Sequence, residues 1–255
     1  MSRPSKARIR QSFERAASTY DSAAEVQRRI CTQLAAGLPD GLSVHRLLDA
    51  GCGTGFAQSQ LQQRFPLAQA LALDLSPGML QQIAMPCCRL AGDIEHLPFA
   101  DHCIDLYWSS LSVQWCDLNK ALAEAQRILQ PQGKLAVASL GGATFKELRQ
   151  AFSQVDQHRH TLSFHTPEEI ERMAKEAGFA TVDVQNRPEI AYYPDFRTLL
   201  KAVKAIGANQ LGDGRRTSLM SRSAFAQAEA AFEIWRTPLG LPLTYDVVYL
   251  YGSAR

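Results

Sequence analysis

The sequence predicts an α/β fold, a mostly parallel sheet with crossover helices on both faces, and three observations predict it. Short apolar runs alternate with helical patterns from residue 45 to residue 140. One run, Leu47-Leu48-Asp49-Ala50, passes directly into the glycine loop Gly51-Cys52-Gly53-Thr54-Gly55. Acidic residues, Asp49, Asp74 and Asp93, stand at the ends of three successive runs.

The elements follow in order. Residues 5–17 place Ile9, Phe13 and Ala16 or Ala17 on one helical face with arginines on the other, and a second amphipathic helix covers 21–36. Then come a strand at 45–50, a helix at 56–65, a strand at 70–73, a helix from Pro77, a short strand at 88–91 and a strand at 104–108. A helix at 118–129, the turn Pro131-Gln132-Gly133 and a strand at 134–140 complete the alternation. Helices at 145–156 and 167–176, a strand near 180–184, a largely helical insertion over 194–236 and a last strand at 244–251 follow. With 255 residues and 46% hydrophobic content, the chain is sized for a single domain spanning 1–255. Its parts are N-terminal helices (1–40), a core (45–140) and the insertion (194–236), and the first and last are the candidate lid or substrate module.

Composition narrows the function. The 27 Lys plus Arg nearly balance 25 Asp plus Glu, which gives no case for nucleic acid as a partner. No apolar stretch is long enough to cross a bilayer, and the basic start lacks the apolar core of a signal peptide, so a cytoplasmic protein with no membrane partner is expected. Cys31, Cys52, Cys87, Cys88, Cys103 and Cys116 form no CxxC pair and no zinc spacing; they read as reduced packing residues, with no metal site. His158, His160 and His165 fit no helical face and no metal pattern, and read as loop residues.

The glycine loop carries the chemistry. Its G-x-G-x-G spacing differs from the G-x-G-x-x-G of dinucleotide folds, and an acid at the strand end would repel a pyrophosphate and suit an ammonium. S-adenosyl-L-methionine carries that ammonium beside a carboxylate, a sulfonium and a ribose. Asp49 would accept its amino group, and the backbone of Gly51, Cys52, Gly53 and Gly55 would meet the methionine and ribose parts. Asp74, followed by Leu75, is placed to accept the ribose hydroxyls. Asp93 with Ile94 is placed to bind the adenine amine and cover its face, and Ser109 closes the fourth strand end. Each piece alone is an ordinary turn or helix cap; four in this order make a site.

DAGCGTG, LDLS, GDIEHLPF and the strand-four segment resemble, in family order, the Rossmann-like class I methyltransferases over residues 45–140. The resemblance implies a seven-stranded sheet whose last strand, here 244–251, is inserted antiparallel.

Other strings resemble one family in particular, the malonyl-[acyl-carrier-protein] O-methyltransferases of biotin synthesis. They are Ser12-Phe13 through Ala16-Ala17, Tyr20-Asp21, Gln27, Ser109 through Cys116, Glu147-Leu148 through Phe152, Lys204 through Asn209, Gly214-Arg215 and Pro242 through Tyr245. The resemblance spans nearly the whole chain and implies methyl transfer from S-adenosyl-L-methionine to the free carboxylate of a malonyl thioester, carried on acyl carrier protein or coenzyme A. Such a carboxylate, with a pKa near ~4, is ionised at neutral pH, so no general base is needed and catalysis reduces to alignment.

A cation or phenol must hold the acceptor. Lys204 and Arg215 in the insertion, and Tyr20 between the N-terminal helices, are the candidates; a guanidinium grips a carboxylate with two bonds where a lysine cannot. Lys204 with Lys201 equally describes a solvated helix face, Tyr20 equally describes packing, and Trp115 is either active-site floor or core. Basic residues 3, 6, 8, 10, 28 and 29 form either a patch for an acidic carrier protein or a solvated face. The competing functions are methylation of another small acid or of a ring carbon, nicotinamide oxidoreduction, and S-adenosylmethionine binding without turnover. A carbon acceptor would need a base, and none stands out.

Overall fold

A computed structural model describes residues 4–153, 155, 162–205 and 221–255. Its strands are β1 (Arg46–Ala50), β2 (Gln69–Asp74), β3 (Cys88–Ala91), β4 (Ile104–Ser110), β5 (Leu129–Leu140), β6 (Thr181–Tyr193) and β7 (Leu241–Ser253). They form one sheet in the order β3-β2-β1-β4-β5-β7-β6. The first five pair in parallel, and β7 runs antiparallel to both β5 and β6, as the expected fold class requires.

The helices are α1 (Lys6–Ala16), α2 (Tyr20–Ala23), α3 (Glu25–Ala36), α4 (Phe56–Arg64), α5 (Pro77–Gln81), α6 (Leu118–Ile128), α7 (Lys146–Ser153), α8 (Pro167–Glu176), α9 (Phe196–Ala205) and α10 (Arg222–Glu233). Local chemistry starts several of them. Ser76 caps α5 through Met79 N–H with Pro77 in the first turn, Asp117 caps α6, and Thr166 with Glu169 makes a reciprocal capping box on α8.

Period-two alternation sorts each strand between two cores. Leu47, Leu106, Trp108, Ala136, Tyr245 and Val247 face α3, α4, α7, α9 and α10. Leu48, Leu73, Tyr107, Leu135, Val137, Val248 and Leu250 face α6 and α8. Because β7 is covered on both sides, ten of its residues in succession, Leu241 to Leu250, are buried.

Three expectations about elements are corrected. The second N-terminal helix is two, broken at Ala24, whose φ of −95° and ψ of 29° leave the helical region. Strand β6 runs on to Tyr193, pairing over its full length with β7; Pro188 is tolerated because β6 is the edge of the sheet. The turn at Pro131-Gln132-Gly133 lies inside β5 as an irregularity, with Gln132 at φ 67° and a register shift against β4. The N-terminal helices and α9 with α10 stand where the helical lid and insertion were expected, although residues 206–220 lie outside those described.

Phe196 anchors α9. It is fully buried, with ring centroids of Phe152, Phe225 and Phe232 at 6.1, 5.6 and 5.3 Å. Phe196→Ala should lower unfolding stability by about 3–5 kcal/mol, measured by urea denaturation.

Candidate active site

The chain reverses direction of winding between β1 and β4, and a cleft opens there, outside the carboxyl ends of β1, β2, β3 and β4. Counted out to its mouth it holds about 980 Å3. The sheet supplies its floor, and α1, α2 and α3 supply its roof through Lys6, Ile9, Phe13, Tyr20, Asp21, Gln27, Arg28 and Cys31.

Asp49 sits at the end of β1, 1% exposed, and Gln58 Nε2 donates to its Oδ2 at 3.2 Å. Burial, with the Asp74 carboxylate adding to it and Gln58 opposing, pushes its carboxyl up to about 7. Beyond it, Gly51 takes a φ of 75° and passes so close to Ser112 that a Cβ there would lie 2.3 Å from the Ser112 Cβ. Gly53, at φ 53°, has nothing within 4 Å of where a Cβ would stand, and its N–H donates to Asp74 Oδ2 at 2.9 Å. Asp74 also accepts from Ser76 N–H at 2.8 Å; burial raises its pKa against these two bonds.

Asp93 and Ile94 line the cleft at the end of β3. Lys6 of α1 bridges Asp93 Oδ1 at 2.8 Å and Glu95 Oε1 at 2.6 Å. Burial works against this ammonium, but Cys116, Asp93 and Glu95 outweigh it and its pKa rises. Asp93, Glu95 and Cys116 stand close enough together to suit a metal ion, and the Lys6 ammonium already occupies their middle.

Most sequence-predicted cofactor residues therefore meet in one place: Asp49, Gly51, Cys52, Gly53, Asp74, Leu75, Asp93 and Ile94 all line the cleft. Gly55 and Ser109 do not. Gly55 starts α4 at φ 83° and packs its backbone on Ile83, and Ser109 is fully buried, its Oγ donating to Ala50 O at 2.7 Å. The cleft takes Ser110 at the end of β4, and Leu111 and Ser112 just beyond it, instead. Leu111 holds a φ of 55°, a strained backbone in the lining of the cleft.

Among the acceptor candidates, Tyr20 lines the cleft, and burial near Asp74 and Asp21 holds its phenol protonated, well above its ordinary pKa. Trp115 lines it too, edge-on to Phe13 at 5.7 Å. Lys204 is exposed in the last turn of α9 and is not among the residues that line the cleft, and Arg215 lies outside the described residues, as do His158 and His160. His165 sits 3.4 Å from Glu169.

Sequence reasoning missed how the roof is fastened. Thr54 Oγ1 donates to Asp21 Oδ1 at 2.6 Å, Glu14 accepts from Ser76 Oγ and Gly78 N–H, and Lys6 reaches the β3 acids. The available signal was spacing, since Lys6, Ile9 and Phe13 share one helical stripe.

Residues 48–137 match the family model described as a methyltransferase domain. Over 250 residues the chain is 70% identical to the malonyl-[acyl-carrier protein] O-methyltransferase of Dechloromonas aromatica (strain RCB), covering 98% of this chain and 95% of that one. The chain belongs to the malonyl-[acyl-carrier protein] O-methyltransferase family. The family member of Herminiimonas arsenicoxydans is 37% identical, with 96% of this chain and 95% of that one covered. The biotin biosynthesis bifunctional protein BioHC of Cellvibrio japonicus (strain Ueda107) is 38% identical, and this chain spans 49% of it. Among solved structures, the YcgJ protein from Bacillus subtilis superposes with a TM-score of 0.61 at 15% identity, covering 89% of this chain and 97% of that one. Geranyl diphosphate C-methyltransferase from Streptomyces coelicolor A3(2), solved with S-adenosyl-L-homocysteine, gives 0.52 at 16%, covering 88% and 78%. These two likenesses concern the fold. No helix among the described residues is long and apolar enough to cross a membrane.

The raised Asp49 carboxyl gives a pH signature. Below about pH 7 the free protein takes up a proton there, which an ammonium bound at Asp49, as the sequence predicts, would have to expel. S-adenosylmethionine affinity should therefore fall as pH drops below that value, by up to about tenfold per unit, measured by calorimetry. Asp49→Asn should bind more weakly and lose the pH dependence.

Proposed function

We propose that this chain transfers the methyl group of S-adenosyl-L-methionine to the free carboxylate of malonyl-acyl carrier protein, forming the methyl ester used in biotin synthesis. The observation that carries the reading is 70% identity to a malonyl-[acyl-carrier protein] O-methyltransferase along 98% of the chain, the helical insertion included.

The cleft fits that methyl donor. A buried carboxylate answered only by a neutral amide suits the ammonium, at Asp49. An uncrowded glycine, Gly53, lets a ligand approach the backbone. Asp74 suits the ribose hydroxyls, and Asp93 with Ile94 the adenine. When bound, the donor supplies a methyl group on a positively charged sulfur.

The protein's own part is alignment and exclusion of water. The malonyl carboxylate is ionised at neutral pH and is its own nucleophile, so no residue has to remove a proton. Phe13, Tyr20, Phe56 and Trp115 give the cleft aromatic walls, which leave an anion poorly hydrated. The protonated Tyr20 hydroxyl is an available donor to the acceptor carboxylate. Lys204 and Arg215 belong to the insertion, which we assign to the acceptor side of a single domain.

With labelled S-adenosylmethionine, malonyl-acyl carrier protein should acquire base-labile label and acetyl-acyl carrier protein should not; label on neither, despite cofactor binding, removes this acceptor. Malonyl-coenzyme A in parallel tests the thioester handle. Tyr20→Phe should lower turnover about tenfold or more, and Lys204→Ala should lower it as well, each with S-adenosylmethionine affinity little changed. Equal loss of cofactor binding would move either residue to the cofactor site.

A further inference from the structure

The cleft contains two cations among the described residues, and only one is neutralised. Lys6 is spent on Asp93 and Glu95. Arg28, read from sequence as part of a basic patch or a solvated face, instead lines the cleft from α3, and among the described residues no acidic side chain lies within salt-bridge distance of it. Its placement is fixed from two sides: its Nη1 donates to the Asp21 carbonyl oxygen at 2.6 Å, and its guanidinium lies over the Phe56 ring at 5.9 Å from the centroid.

Phe56 is the first residue of α4, immediately after the glycine loop. Gln27, Arg28 and Cys31 form the stripe of α3 that faces the cleft, at the helical spacing of three and four, with Ala24 at its N-cap. Arg28 thus enters from the roof beside the loop whose floor is Asp49. An α-amino acid carries an ammonium and a carboxylate on one carbon, and a site for it needs an anion and a cation in one cleft. Asp49 and Arg28 are a pair of opposite signs that line the same cleft.

We propose that Arg28 binds the α-carboxylate of the cofactor's amino-acid end, opposite Asp49. The inference rests on the cofactor reading above and is independent of the acceptor. A guanidinium gripping a carboxylate makes charge-assisted bonds that a neutral side chain cannot replace.

The test compares S-adenosyl-L-homocysteine with its decarboxylated analogue, titrated into the full-length wild-type protein and into Arg28→Met and Arg28→Lys. Wild type should prefer the carboxylate-bearing ligand. Arg28→Met should lose about 10- to 100-fold in affinity for S-adenosylhomocysteine and little for the analogue, while Arg28→Lys should keep part of the preference. Analogue binding to Arg28→Met shows that the variant is folded and its roof closed. An equal loss for both ligands would make Arg28 a structural tie between α3 and the glycine loop and overturn the proposal. Unchanged S-adenosylhomocysteine binding with a raised KM for malonyl-acyl carrier protein would also overturn it, placing Arg28 on the acceptor side. Wild type that binds the two ligands equally refutes carboxylate recognition, whereas wild type that binds neither removes the cofactor reading itself.

Discussion

A carboxylate at the end of β1, buried and with only a neutral amide for a partner, is the interaction that the rest of the site answers. Taking Asp49 out of water is expensive, and Gln58 offsets little of that cost because a neutral amide at 3.2 Å is a weak partner for an ion. The fold tolerates the cost because β1 ends at the reversal point of the sheet, where the neighbouring strand ends diverge and leave room above it. Burial raises its carboxyl to about 7, and on the proposed function a positive ligand group would offset that cost. Gly51 follows for a steric reason, since the chain must turn away over Ser112 at a left-handed φ and at a distance no Cβ would survive.

The floor is acidic, and the roof is fastened to it through polar atoms. Asp21 on Thr54 reaches the loop after β1, Glu14 on Ser76 and Gly78 reaches the segment after β2, and Lys6 on Asp93 reaches the end of β3. Each tie is part-buried or at the surface, so none is a large source of stability by itself. Their value lies in geometry, because three points of attachment on three consecutive strand ends define how α1 and α2 lie over the cleft. Phe13 and Tyr20 are carried into position with them, Phe13 against Trp115 and Tyr20 against Phe13 at 6.5 Å.

What the sequence could reveal follows from how far each contact reaches along the chain. Asp49, Gly51 and Gly53 were legible because strand, loop and helix are contiguous, and Asp74 and Asp93 because each ends its own apolar run. Ser109 was misplaced by one residue for a reason internal to strands: alternation turns Ser109 toward Ala50 and leaves Ser110 at the cleft. Lys6 meets Asp93 across 87 positions, and the Thr54 contact with Asp21 spans 33, distances over which periodicity carries no information. The antiparallel β7 was legible only through family resemblance, because burial on both faces hides the direction of a strand. The break at Ala24 was invisible for a different reason, since alanine is a good helix former and only tertiary contacts divide α2 from α3.

The division of labour between sheet and helices also explains why the acceptor side is harder to read than the cofactor side. The residues proposed for the adenosyl and amino-acid groups stand at strand ends, whose positions the two cores fix. On the proposed function, the acceptor side would draw on α2, α9 and α10, helices that pack on the sheet through one of those cores. Methylating an already ionised carboxylate asks for no acid, no base and no metal, so no motif of fixed spacing is required there. What it requires is an oriented anion in a dry cleft whose floor already holds Asp49 and Asp74. Repulsion from those carboxylates grows as water is excluded, and an acceptor anion is held only where a donor such as the protonated Tyr20 hydroxyl, or a cation brought in by a helix, offsets it. The same exclusion of water that activates the nucleophile therefore makes its positioning depend on the roof being closed.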